Sequence, residues 1–159
     1  MTRPTNSEIR QNVAGIIQAA LPNASVVPRF LFAATNEAWG AMLVSDNDNG
    51  RINCVMIHNS ERQQLFNPGR REHVRRFTIT VVRQQELGTT AANSEDEFDA
   101  DLDAIEDALN SSLRLGFDSN PHFKSHEGAQ FHSIDPIVIG SHVCHFAQGS
   151  LTVRLLSYP

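Results

Sequence analysis

One segment of the chain, residues 94–116, limits the fold most, because its apolar residues recur at the spacing of an α-helix. Five of them follow one another in steps of four, three, four and four residues: Phe98, Leu102, Ile105, Leu109 and Leu113. Side chains at this spacing share one face of a helix. Ser94 and Glu97 have the spacing of a capping box, and Gly116 has the place of a C-terminal cap. The segment therefore predicts an amphipathic helix that buries one face.

The other face of this predicted helix is acidic. It carries eight carboxylates: Glu95, Asp96, Glu97, Asp99, Asp101, Asp103, Glu106 and Asp107. Negative charge in the first turn suits the positive end of the helix dipole. The later carboxylates exceed what capping needs, so they indicate either a solvated face or a contact surface.

A second segment, Arg71 to Arg83, alternates in the way that a β-strand does. Its predicted core-facing residues are Phe77, Ile79 and Val81, and its predicted solvent-facing residues are Arg76, Thr78 and Thr80. Successive side chains of a strand point to opposite faces of the sheet. The segment therefore predicts a strand with one buried face and one wet face.

A helix is also predicted near the start of the chain. Thr5 and Glu8 have capping-box spacing, and the residue before Pro22 is pushed out of the helical conformation. The predicted apolar stripe between them consists of Ile9, Val13, Ile16, Ile17 and Ala20.

The remaining segments predict short strands and loops. Residues 25–32 form a strand interrupted by Pro28, and residues 39–45 and 51–58 form a hairpin around an Asp/Asn-rich link. Residues 59–70 are predicted as a loop with a turn at Asn67-Pro68-Gly69, and the His-rich residues 117–133 as a second loop. A terminal hairpin of residues 137–146 and 151–157 is predicted around Gln148-Gly149.

This order of elements predicts the fold class. We expect one α+β domain over residues 1–159, with a mostly antiparallel sheet. The N-terminal helix and the second, acidic amphipathic helix are expected to pack on one face of that sheet.

Composition restricts the function. Thirteen basic and 18 acidic residues give a net charge of −5, whereas a dedicated nucleic-acid binder is more often basic. No run of 18 apolar residues and no secretory segment occurs, which predicts no membrane association. The two cysteines, Cys54 and Cys144, are expected to be free thiols.

No residue pattern supports catalysis or metal binding. Residues 46–52 resemble the start of a calcium loop, but with Gly50 in sixth place Met56 takes the twelfth, where a bidentate Glu is needed. On a strand, His142 and Cys144 share a face and His145 points away, so the three do not close on one ion. Phosphate-loop and nucleophile-elbow motifs are missing from the sequence. We therefore expect no catalytic residues, no metal and no cofactor.

Two features of opposite charge remain as candidate interfaces. The first is a group of arginines around the predicted central strand: Arg70, Arg71, Arg75, Arg76 and Arg83. The second is the acidic helix face. The two either balance one another within the chain, or meet head-to-tail between copies in a contact that closes into a ring.

The layout resembles a known family. The strand "RREHVRRFTITVV", the helix "DEFDADLDAIEDALNSS" and the terminal strand "GSLTVRLLSYP", preceded by a short N-terminal helix, resemble the tail-terminator (minor tail, tail-completion) proteins of long-tailed bacteriophages. These are patterns of residue character rather than invariant motifs. The 59–70 and 117–133 segments are long for the family pattern.

The resemblance implies a structural virion protein without catalytic residues. Family members form a hexameric ring that caps the finished tail tube and joins it to the head or neck connector, and DNA passes through without sequence readout. The implied partners are further copies of the chain, the tail tube protein and the connector protein. The implied location is the tail or neck of the virion, after synthesis in the host cytoplasm. A head-completion or neck connector protein, a small metal-dependent enzyme built on the His residues, and a ligand-binding α+β domain are the alternatives.

Overall fold

A six-stranded sheet organises the computed structural model, which describes residues 1–86 and 91–158. Within these residues the chain forms three α-helices: α1 (Asn6–Ala20), α2 (Asn36–Met42) and α3 (Ala91–Ser111). The strands are β1 (Ser25–Val27), β2 (Val44–Ser45), β3 (Arg51–Asn67), β4 (Arg70–Gln84), β5 (Phe123–Ile139) and β6 (His142–Ser157).

The sheet is mostly antiparallel, as predicted. Its strand order is β1-β3-β4-β6-β5, and β2 pairs with the start of β3. The β1–β3 pair is parallel, and the pairs made by β2, β4, β5 and β6 are antiparallel. This arrangement confirms the α+β fold class. None of the described helices is long and apolar enough to cross a membrane.

One face of the sheet is covered by α1 and α3. Phe77, Ile79 and Val81 of β4 are buried there, as the alternation predicts. The helices contribute their predicted stripes to the same core: Ile9, Val13 and Ile17 from α1, and Phe98, Leu102, Ile105 and Leu109 from α3. The two helices therefore pack on one face of the sheet, as expected.

The other face is not uniformly wet. Thr80 and Val82 are fully buried on it, in or beside a second apolar cluster that includes Leu43, Met56 and Cys144. The prediction of a solvent-facing Thr80 is wrong. The hairpin predicted from 39–45 and 51–58 is confirmed only next to its turn, where Val44–Ser45 pairs antiparallel with the start of β3. Residues 36–42 form α2 instead, capped by Thr35, and a tryptophan of this short helix packs over the cluster.

Two predicted loops are strands. The 59–70 segment continues β3 to Asn67 and turns at Pro68-Gly69, and the 117–133 segment enters β5 at Phe123. Residues 60–67 are exposed on both faces, so they lack the apolar alternation that identifies a strand in a sequence. Backbone pairing from Glu61↔Arg76 to Asn67↔Arg70 holds them. The predicted turn at 67–69 is confirmed.

The predicted terminal hairpin is also wrong. β6 is continuous from His142 to Ser157, and its hairpin with β5 turns at Gly140, where φ is +61°. Gly149 lies inside the strand. A Cβ there would come within 2.8 Å of the Phe131 ring and of the Gln130 carbonyl oxygen, so close packing of β5 explains this glycine.

The helix ends match the predictions in part. The Thr5/Glu8 capping box is confirmed. The Ser94/Glu97 box is wrong, because α3 begins at Ala91 and Ser94 lies within it, with its Oγ 2.8 Å from His145 Nε2. The helix ends at Ser111, before Leu113 and Gly116, and the predicted strand 25–32 is ordered as a strand only at Ser25–Val27.

The burial of α3 generates a stability prediction. Replacing Leu102 or Ile105 by Ala is expected to lower the free energy of unfolding by about 2–5 kcal/mol, because each truncation leaves a cavity in the core. Leu113→Ala is the matched control, because Leu113 is 78% exposed, and its effect is expected within about 0.5 kcal/mol. Urea unfolding measures all three, and equal losses at Leu102 and Leu113 would contradict the packing.

Near the Arg70 end of β4, one buried carboxylate connects side chains of three strands. Glu72 of β4 accepts hydrogen bonds from Lys124 of β5 (2.9 Å) and Arg154 of β6 (3.0 Å). Its side chain is only 6% exposed. The hydrogen bond from Lys124, followed by that from Arg154, holds the pKa of Glu72 below its usual value. The ionised form is therefore stabilised by folding.

Glu72→Gln is expected to lower the free energy of unfolding by about 1–3 kcal/mol at neutral pH. The loss is smaller than for a fully buried ion pair, because solvent screens both cations, which are about one-third exposed. Since the folded-state pKa is lowered, the contribution of Glu72 is fully present above the ordinary carboxylate pKa and is lost as pH falls through the lowered folded-state pKa. The difference from wild type should therefore shrink in acid. Glu127→Gln, which removes an exposed partner of Arg154, is the control. A pH-independent difference would contradict this role.

Candidate assembly surfaces

The end of the β3–β4 hairpin forms an exposed edge of the sheet. We call residues 60–71 the arm; all of them are exposed. In the described part of the chain, this stretch of β3 pairs with β4 on one edge only. The predicted loop at 59–70 is therefore an edge strand with its turn. It lies beside β4, which pairs with β6 on its other side as far as Arg71, and its side chains are exposed.

The helix-side face of the arm and its base carries a cluster of arginines. Directly opposed residues of paired strands share a face, and Arg62 opposes Arg75 while Phe66 opposes Arg71. The Arg71 guanidinium lies 5.6 Å from the centre of the Phe66 ring. Arg3 reaches the same region and donates to His73 Nε2 at 2.5 Å. We call Arg3, Arg62, Arg71 and Arg75 the basic cluster.

The basic cluster has no acidic counterpart in the part of the chain that the structure describes. Among the described residues, no carboxylate forms an ion pair with any of its four members. Partial burial, and then repulsion from Arg3 and Arg62, lower the pKa of Arg75. Burial and the neighbouring arginines also lower the pKa of His73. The cluster is thus a site of unbalanced positive charge.

The other predicted arginines are placed differently. Arg76 lies on the opposite face of β4 and pairs with Glu61 at 2.7 Å, both half exposed. Arg70 lies at the turn. Arg83 is the predicted arginine that reaches the acidic helix. It donates from Nη1 to Asp101 and from Nη2 to Glu97, each at 2.6 Å.

Charge balance within the chain accounts for only these two carboxylates of α3. Burial raises the pKa of Asp101 above its usual value, although Arg83 acts in the opposite direction. The other carboxylates of the helix form no ion pair within the described residues: Glu95, Asp96, Asp99, Asp103, Glu106 and Asp107. All but Glu106 are classed as exposed. We call these six the acidic face.

The arm lies far from the N-terminal half of α3, which carries part of the acidic face. Arg83 lies near the end of β4 that is distant from the arm. It contacts Glu97 and Asp101, which lie in the N-terminal half of α3. Fourteen residue steps separate Arg70 from Gln84 along β4, which corresponds to about 45 Å. Electrostatic interactions between exposed charges are screened within about 10 Å. The arm and this half of the helix therefore do not neutralise one another within a chain.

The residues considered for metal binding are dispersed. Asp48, in the short 3-10 turn at 46–48, pairs with Arg51 at 2.7 Å. His142 is exposed, Cys144 is buried with a pKa raised to about 11, and His145 stacks on Phe98 on the other face. In the part of the chain that the structure describes, no three metal-ligating side chains come together.

Comparison with known proteins identifies no family. No family model matches the chain, and no curated protein matches it. Among solved structures it is similar to a chain of a structure described as the virion of a native gene transfer agent (GTA) particle, with a TM-score of 0.48 and 12% identity. The match covers 94% of this chain and 92% of that chain. At this TM-score and identity the likeness carries no argument about function.

Sequence reasoning found the charged residues but not how they are grouped. It missed the arm, Arg3 and the exposed aromatic Phe66. The sequence contains one indication of the arm, a Pro-Gly turn between two polar segments of matching length, which is typical of a hairpin. Nothing in the sequence marks Arg3 as a neighbour of His73, because 70 residues separate them.

The basic cluster generates a prediction for His73. Arg75→Gln should raise the pKa of His73, because one of the positive charges that disfavour the imidazolium is removed, while burial keeps the pKa below its ordinary value. Arg76→Gln is the control, since Arg76 points to the opposite face. Histidine NMR titration measures both variants, and equal shifts would contradict the proposed grouping.

Proposed function

We propose that this chain is a structural virion protein, a tail terminator that assembles as a homo-hexameric ring. The ring caps the tail tube, stops its elongation and joins it to the head or neck connector. The observation that carries the proposal is the presence of an unpaired basic cluster and an unpaired acidic face at separate places on one subunit. Such a subunit is suited to a head-to-tail contact, and contacts of that type close into rings when the rotation permits.

The family resemblance supports the same assignment. The three segments that carry it lie together in the fold, because β4 and β6 are neighbours in the sheet and α3 packs on the same core. The small α+β domain is the fold that the resemblance implies. As a terminator, the protein is expected to bind three kinds of partner: the tail tube protein, the connector protein and other copies of the chain.

The charge distribution also suits a ring through which DNA passes. Basic walls hold nucleic acid through phosphate contacts that do not depend on base sequence. We place Arg70 and Arg71 of the arm, with Arg75 and Arg76 at its base, toward the neighbouring subunit, where they do not line the channel. Of the acidic helix residues, those not used in the contact would repel the DNA backbone and leave it free to move.

Charge reversal tests the assembly directly. Arg71→Glu with Arg75→Glu should reduce ring formation, measured by light scattering at high protein concentration and by electron microscopy with tail tubes. Arg29→Glu is the control, because Arg29 is exposed and lies outside the arm. Added salt should weaken the wild-type contact as well, since screening shortens to about 3 Å at 1 M. Unchanged assembly of the double variant would contradict the interface.

The role in the virion is tested by omitting the protein from particles. A terminator is required to stop the tube, so its omission should give tails of non-uniform length without heads. Tails of uniform length with detached heads would instead favour a head-completion or neck connector protein. Complete, infectious particles would contradict both roles.

A further inference from the structure

A cleft lies between the N-terminal half of α3 and the β5–β6 hairpin. Its volume is about 180 Å³. Ile134 and Pro136 supply exposed apolar surface beside the stacked rings of Phe98 and His145, and the carboxylates of Glu95 and Asp99 lie at its border. The cleft therefore has a mixed lining of polar and apolar side chains and an acidic border on the α3 side.

The tip of the arm carries the complementary groups. Phe66 is 74% exposed, which leaves a large aromatic surface in water at an unfavourable free energy. The Arg71 guanidinium lies over its ring, and Arg70 follows the turn opposite Asn67. Exposed aromatic residues and arginines are both enriched in protein interfaces relative to the rest of the surface.

We propose that the cleft of one copy binds Phe66 from the arm of a second copy, with Arg70 and Arg71 facing Glu95 and Asp99. A volume of about 150 Å³ accommodates benzene, so the cleft, at about 180 Å³, is large enough for a phenyl ring. Two positive charges then meet two negative ones. The proposal rests on the ring assembly of the proposed function and specifies its contact.

The geometry requires that the two groups come from different molecules. The tip lies at the Arg70 end of β4 and the cleft lies beside the Gln84 end, about 45 Å away along the strand. Each copy thus offers one tip and one cleft. A contact between unlike surfaces leaves both partners with a free site, which is the property that lets a third copy join.

Truncation of the aromatic residue is the first test. Phe66→Ala should weaken self-association by at least about tenfold, measured as the concentration dependence of the mass in light scattering or sedimentation. The matched control is Phe32→Ala, because Phe32 is 78% exposed but lies outside both the tip and the cleft. Self-association of Phe66→Ala equal to that of wild type would overturn the proposal.

A charge exchange tests the pairing itself. One variant reverses the tip (Arg70→Glu, Arg71→Glu), and a second reverses the cleft (Glu95→Arg, Asp99→Arg). Each variant alone should fail to associate, because like charges meet at every contact. An equimolar mixture should associate, because each reversed surface then has an opposite partner. Failure of the mixture, with both variants folded by circular dichroism, would overturn the pairing.

Cross-linking separates failure of this contact from failure of the ring. Asn67→Cys and Ile134→Cys, mixed and oxidised, should give a disulfide-linked pair, whereas Phe32→Cys mixed with Ile134→Cys should not. The native thiols interfere little, because burial raises the pKa of Cys54 to about 12 and that of Cys144 to about 11. Association of wild type without this cross-link would overturn the cleft contact and leave the ring proposal standing. No association and no cross-link at any concentration would overturn both.

Discussion

The full-length pairing of β4 with its two neighbours is the interaction on which the rest of the structure depends. β3 pairs with it from Asn53↔Arg83 to Asn67↔Arg70, and β6 from Gln84↔Cys144 to Arg71↔Ser157. This register sets which face each side chain occupies, because a slip by one residue would move every side chain to the other face. It places Phe77 beneath the helices, Glu72 beside its two cations, and Arg83 within reach of α3. It also extends the hairpin beyond the region that the helices cover, which creates the arm.

The parts of the fold that could be predicted from the sequence are those in which burial imposes a period. α1, α3 and the helix-side face of β4 each bury one set of residues, so their spacing identifies them. Residues 60–67 and much of β5 are held by backbone hydrogen bonds and need no apolar period, so they were predicted as loops. α2 is only seven residues long, too short for its periodicity to distinguish it from a strand. For the candidate site, composition identifies the arginines and carboxylates, but which of them pair is decided by register and by contacts distant in sequence, as between Arg3 and His73.

The polar character of the arm follows from its position at the edge of the sheet. An edge strand exposes unpaired backbone groups that can pair with other chains, and charged side chains are a common means of preventing this. Arg62 and Glu61 have that effect on the outer strand of the arm. The same charges leave Phe66 and Leu65 as the large apolar groups near its tip, so the arm disfavours general edge pairing while it retains one specific contact residue. The charged residues of the arm therefore contribute more to the choice of binding partner than to the stability of the fold.

A contact made of one aromatic residue and a few exposed charges is weak for a pair of free subunits. Exposed ion pairs contribute about 0–1 kcal/mol each, and a single phenyl ring adds about 1.5–3 kcal/mol when fully buried. Association also has a large entropic cost, so free copies at low concentration would remain mostly separate. On a tube end the subunits are held side by side, and each contact becomes effectively intramolecular, with an effective concentration that can reach the millimolar range. A weak head-to-tail contact is therefore a functional requirement of the proposed ring, because it confines closure to the end of a finished tube.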